Sequence, residues 1–213
     1  MTIAIAWNAE FTRIIQGTTC TSATDRKLLR DLAEHVPQPG WVGSNYNHAS
    51  VLMVGQNPGT PKSLADADRP YTSALRALKN DPTEENHQAL ITVLQKFVPQ
   101  WPVHGNYFPL IECGLTLQDI AYCNVVRCRT QNDSPPNKAL AQTCIAQHFS
   151  RWLALLSPRV VVFVGKWAAD HAASEVQSAG RPFAFMNRRR NLSSEDRTAN
   201  RHAVVQLVRE VAG

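Results

Sequence analysis

Residues 51–59 read VLMVGQNPG. Val51 to Val54 form a continuous apolar run that stops at Gly55, Gln56, Asn57, Pro58 and Gly59. Such a run, bounded by turn residues, is the pattern of a strand covered on both faces. The turn admits two readings. It is a polar surface turn, the ordinary meaning of Asn-Pro-Gly, or it is a strand end that delivers Gln56 and Asn57 into a reaction.

Further along, Ile120–Val126 (IAYCNVV) and Val160–Val164 (VVVFV) repeat the apolar pattern, and Phe183–Met186 is a shorter fourth run. Helical periodicity fills the intervals at Tyr71–Lys79, Glu84–Phe97, Lys138–Leu156 and Lys166–Ala173, and Ala199–Val211 closes the chain. Thr24–His35, with Thr24 as N-cap, reads as an earlier helix ended by Pro37, Pro39 and Gly40, and residues 40–49 read as polar loop. Strands alternating with helices predict a three-layer α/β/α domain around a central, mostly parallel four-stranded sheet. The expectation is one domain over residues 1–213, with 1–49 as a helical and loop extension. In such sheets ligands bind beyond the carboxyl ends of the strands, where GQNPG, Asn124 and the loop after AFMN would meet.

No apolar run is long enough to span a bilayer and no secretory signal is legible, so the expected location is the cytoplasm. Cys20, Cys113, Cys123, Cys128 and Cys144 are odd in number and scattered, which predicts free thiols or metal ligands rather than a disulfide framework. The net charge of +5 is unevenly placed. Residues 181–213 hold seven Arg and no Lys against Glu195, Asp196 and Glu210, with Arg188, Arg189 and Arg190 consecutive. That run is either a solvated loop or a polyanion-binding one.

Three ordered segments resemble the uracil-DNA glycosylase superfamily. GQNPG is similar to its first motif, which reads GQDPY in the best-known branch, GINPG in the mismatch-specific branch and GEAPG in the iron-sulfur branch. Residues 121–165, from AYCNVVRC to VVVFVG, resemble the iron-sulfur branch most closely, with an asparagine strand, a cysteine four residues on, a proline loop and a second cysteine opening a helix. DRPY, Asp68 to Tyr71, resembles that branch's GRPF. The resemblance implies a DNA glycosylase that flips out uracil or a related deaminated base, hydrolyses its bond to deoxyribose and so starts base excision repair, acting as a monomer on damaged DNA.

By that resemblance Asn124 reads the base edge, one amide offering a donor to uracil O4 and an acceptor to N3–H. Tyr71 stacks on the base, with Tyr107 and Phe108 as alternatives. Asn57 places the water where the most active branch has an aspartate, which predicts slower chemistry. Gln56 gives backbone N–H to the base carbonyl. Gly59 stands where GQDPY has the tyrosine that excludes thymine, so the base range is left open. No histidine lies between His171 and His202, and Asn187 occupies the place of the histidine in the superfamily's last motif. Arg188, Arg189, Arg190, Ser193 and Ser194 would contact phosphates, and Leu192 resembles the wedge that fills the gap left by a flipped base.

The resemblance also implies a [4Fe-4S] cluster, not required for the chemistry, with Cys20, Cys128 and Cys144 matching three of its four ligands. Ala23 stands where the fourth would be, and the alternative is that these cysteines fill the core. Two rival functions stay open: a DNA-binding protein of this fold with weak or lost catalysis, and an enzyme of small nucleotides on an unrelated α/β sheet.

Overall fold

A computed structural model describes residues 3–19, 25, 28, 36–59, 68–98, 108–188 and 191–212. The chain divides into two compact units. One comprises residues 1–39, 57–100 and 126–144; the other comprises 40–56, 101–125 and 145–213. The Thr24–His35 helix reading falls almost wholly outside the described residues, as do Cys20, Tyr107, Arg189 and Arg190.

The first unit is helical. Helix α1 (Ile3–Ile15) packs on α3 (Asp68–Asn80), and α3 packs on α4 (Glu84–Phe97). Trp7, Phe11, Ile14, Ile15, Leu75, Leu78, Leu90 and Leu94 are among its buried apolar side chains. Thr83 caps α4 by accepting from the Asn86 backbone N–H, and Glu84 and Glu85 sit in the first turn, where the helix dipole favours negative charge. Asn137 caps α6 (Lys138–Cys144), its Oδ1 accepting from Leu140 N at 2.8 Å. Buried Asp25 accepts from the Asn137 backbone N–H at 2.6 Å, so its carboxylate is hydrogen-bonded at the start of that helix.

The second unit carries a sheet of five strands in the order β1-β3-β2-β4-β5. They are β1 (Trp41–Val42), β2 (Val51–Gly55), β3 (Ile120–Asn124), β4 (Val160–Val164) and β5 (Phe183–Met186). All neighbours are parallel except β1 with β3. The expected α/β class and mostly parallel sheet are found, with helices on the sheet in a three-layer α/β/α manner. One face buries Val51, Met53, Ile120, Val160, Val162 and Met186 against Leu110 of α5 (Leu110–Cys113) and Val204 and Val208 of α9 (Ser194–Ala212). Residues of opposite parity, among them Leu52, Val54, Ala121, Cys123, Val161 and Phe163, are buried too. That double burial is why β2 and β4 read as unbroken apolar runs.

Several readings are corrected. The stretch read as polar loop holds a fifth strand and a short helix, α2 (Tyr46–Ala49): Trp41 pairs with Tyr122 and Val42 with Ala121. Two residues are too few to show a period, and Gly40, at φ 106°, is needed because a side chain there would strike the Tyr122 carbonyl. β3 ends at Asn124 instead of Val126, because its partner β2 ends at Gly55. Lys138–Leu156 is one helical run, as expected, but Ile145–Phe149 forms a π-helical turn between α6 and α7 (Ser150–Leu156). Helix α8 (Lys166–Ser178) outruns its expected end at Ala173, and α9 starts at Ser194 rather than Ala199.

Candidate base-recognition site

The second unit brings two of the singled-out segments together at the carboxyl end of the sheet. Gly55, the last residue of β2, lies in register with Asn124, the last of β3. Val125 N then donates to Gly55 O at 2.8 Å, which fixes the two strand ends to each other. Asn124 is 5% exposed, and Tyr122, two residues earlier and therefore on the same face, donates its hydroxyl to Asn124 Oδ1 at 2.9 Å.

Gly55 makes room for this pair. A Cβ on Gly55 would run into Asn124 Oδ1 and stand 2.7 Å from the Tyr122 hydroxyl. Both side chains thus lean across the bare backbone of β2. The amide oxygen keeps its second lone pair and the Nδ2 group its donors, so a buried planar donor–acceptor pair is held at a strand end. Among the described residues Asn124 bonds to no other side chain than Tyr122.

Asn187 follows β5, whose end is tied to β4 by Gly165 N donating to Met186 O at 2.9 Å. Asn200 on α9 holds the turn: its Nδ2 donates to Phe185 O at 3.0 Å and its Oδ1 accepts from Asn187 N at 2.7 Å. Arg188 is exposed, with its stem packed over Gly165. Leu192 is half-buried. Ser193 is the cap of α9: its Oγ accepts from Asp196 N at 3.0 Å and donates to Asp196 Oδ2 at 2.8 Å. That hydroxyl is already used by the helix.

In the first unit, Asn57 is half-buried and donates from Nδ2 to Thr130 Oγ1 at 3.0 Å. Tyr71 is 1% exposed, its hydroxyl 3.4 Å from Gln38 Oε1, and it offers no open ring face in this state. Phe108, an alternative stacking residue, is buried in the core of the second unit.

Cys113, Cys123 and Cys144 are thiols outside any disulfide, as expected. Cys128 is not: it is disulfide-bonded. Spacing along a chain does not reveal which cysteines come within bridging distance, so a pairing of this kind is invisible in sequence. Burial pushes the Cys144 thiol up, with the Arg127 backbone hydrogen bond and charge opposing. A cysteine in a disulfide is not a thiolate ligand, so in this state Cys128 supplies none. Among the described residues no three His, Cys, Asp or Glu side chains gather as a metal site.

A family model described as the Uracil DNA glycosylase superfamily matches residues 43–207, most of the chain. The chain belongs to that superfamily. No curated protein matches it. Superfamily membership gives the geometry at Gly55, Tyr122 and Asn124 a chemical setting, that of a glycosylase acting on DNA. The sequence singles out Asn124 as a candidate, but it passes over Tyr122, Asn200 and Thr130, the side chains bonded to the candidate residues. Only Tyr122 left a signal, its two-residue spacing from Asn124 on a strand.

Proposed function

We propose that this member of the superfamily removes uracil, or a related deaminated base, from DNA and leaves an abasic site. The observation that carries the reading is the Asn124 amide, buried over Gly55 with its oxygen accepting from Tyr122. With that orientation Oδ1 accepts from uracil N3–H and Nδ2 donates to O4. Cytosine presents the opposite pattern and would leave buried polar groups unpaired, which is a costly mismatch.

The base is unstacked and swung out of the helix to reach the site. The C1′–N bond breaks with its electron pair leaving on the base, the water oxygen bonds to C1′, and the water's proton ends on the departing base or in solvent. Asn57 holds that water, and the loop led by Asn187 meets the base oxygen, each by an uncharged amide. Neutral donors stabilise an anion less than charged ones, so the turnover is slow. Arg188, Arg189 and Arg190 neutralise phosphates, and Leu192 fills the vacated stack. Stacking is assigned to Tyr71 on the resemblance alone.

The test is incubation of purified protein with single-stranded and duplex oligonucleotides carrying one uracil, one hypoxanthine or a T:G mismatch, followed by alkaline cleavage. Cleavage at the uracil, lost in an Asn124→Ala variant prepared in parallel, is the expected result. DNA binding with no abasic product from any substrate would reject the enzyme and leave a DNA-binding member of the fold. That second reading is favoured by one observation, the amides Asn57 and Asn187 at the positions of the superfamily's acid and histidine.

A further inference from the structure

The geometry points to Thr130 as the positioning residue that decides which end of the Asn57 amide faces the attacking water. The inference rests on the water-holding role of Asn57 proposed above. Thr130 is fully buried and follows a segment in which Arg127 and Arg129 are also buried. Its Oγ1 donates to Ser134 O at 2.7 Å. A carbonyl oxygen only accepts, and a hydroxyl has one proton, so that proton is spent on Ser134. Towards Asn57, 3.0 Å away, Thr130 therefore presents a lone pair.

A lone pair calls for a donor, which makes the near end of the Asn57 amide its nitrogen. Pro58 O, 3.3 Å from the same atom, is again an acceptor only. Two acceptors on one side, one for each amide hydrogen, fix the flip chemically. Oδ1 is then turned away from Thr130 and Pro58.

The orientation matters to the reaction because water binds differently to the two ends of an amide. Against Oδ1 the water donates a proton, and its lone pairs stay directed outward for attack on C1′. Against Nδ2 it would accept on one of its two lone pairs, which draws electron density off the oxygen and leaves the water's protons no acceptor on Asn57. Thr130 thereby acts on the rate of the chemical step and leaves the affinity for DNA unchanged. Ser134 O belongs to the device as much as Thr130, since without it the hydroxyl proton could turn towards Asn57 and reverse the amide. The short 3₁₀ turn Gln131–Asp133 holds it there, Ser134 N donating to Gln131 O at 3.1 Å.

The test compares Thr130→Val, which keeps the shape and removes the hydroxyl, with Thr130→Ser, which keeps both hydrogen bonds. Uracil removal is followed under single-turnover and steady-state conditions, with thermal unfolding of each variant as the control. Expected for Thr130→Val is a fall in kcat of about tenfold to a hundredfold with KM within about twofold. Thr130→Ser should lie within about threefold of the parent. Added to Asn57→Ala, Thr130→Val should cause no further slowing, since the two act as one unit. A parental kcat in Thr130→Val, or an equal loss in Thr130→Ser, overturns the assignment. So does a full further loss on top of Asn57→Ala.

A second readout does not depend on activity. The side-chain amide protons of Asn57, identified as the resonances missing in Asn57→Ala, should exchange slowly with solvent in the parent and fast in Thr130→Val. Equal exchange in the two overturns the assignment even if the parent releases no base. The absence of product from every substrate, by contrast, rejects the glycosylase reading itself.

Discussion

Gly55→Ala is the substitution with the clearest expected consequence. The added methyl would meet two atoms, Asn124 Oδ1 and the Tyr122 hydroxyl, the latter at 2.7 Å. Ordinary contact begins at 3.4 Å, so the hydroxyl must retreat by about 0.7 Å and the amide by more. Both atoms are the ends of side chains, and Gly55 does not have a positive φ, so the backbone of β2 can stay in place. The cost to the fold is therefore at the low end for overpacking, about 1 kcal/mol, or roughly 2–4 °C in Tm for a chain of this size. Its cost to the reaction is larger. The hydrogen bond between Tyr122 and Asn124 is lost, and the reading amide is displaced by about 1 Å, which lowers kcat/KM roughly a hundredfold. Release of base from a uracil oligonucleotide is measured alongside thermal unfolding. A folded Gly55→Ala protein with the parent's kcat/KM would show that Asn124 does not read the base from this position.

Three other outcomes follow from the same structure. Tyr122→Phe removes the restraint on the Asn124 oxygen, worth about 1 kcal/mol, and should lower the preference for uracil over cytosine about fivefold to tenfold; an unchanged ratio of the two kcat/KM values refutes this. Asn200→Ala cuts the bonds to Phe185 O and Asn187 N, and should cost about 1–2 kcal/mol in urea unfolding together with a loss of kcat; a stability loss without a kcat change would make Asn200 purely structural. Glu112 on α5 accepts from Arg201 Nε and Nη2, and this hydrogen bond, aided by the charges of Arg201 and Arg209, holds its carboxyl below the usual range. A depressed folded pKa contributes stability above the unfolded pKa and loses it as the pH falls through the folded one. Glu112→Gln should therefore lower the urea midpoint at neutral pH by the equivalent of at most about 1 kcal/mol, the pair being half-exposed and screened, and leave it unchanged in acid.

The sequence by itself determined the α/β class, the four longer strands and the placing of Asn124 on one of them. Those depend on periodicity, run length and motif order, which are local along the chain and survive without knowledge of what packs on what. The tertiary structure decided the rest. β1 is two residues whose pairing exists only because β3 lies beside them, and the end of β3 is set by where β2 stops. Tyr122 and Asn124 could be placed on one face from their spacing, but not over Gly55, because that depends on the register between two strands far apart in sequence. The partnership of Asn57 with Thr130 spans 73 positions and that of Asn187 with Asn200 joins a turn to a helix. A side-chain amide shows its type in the sequence; which of its two ends faces the reaction is settled only by the proton already committed next to it.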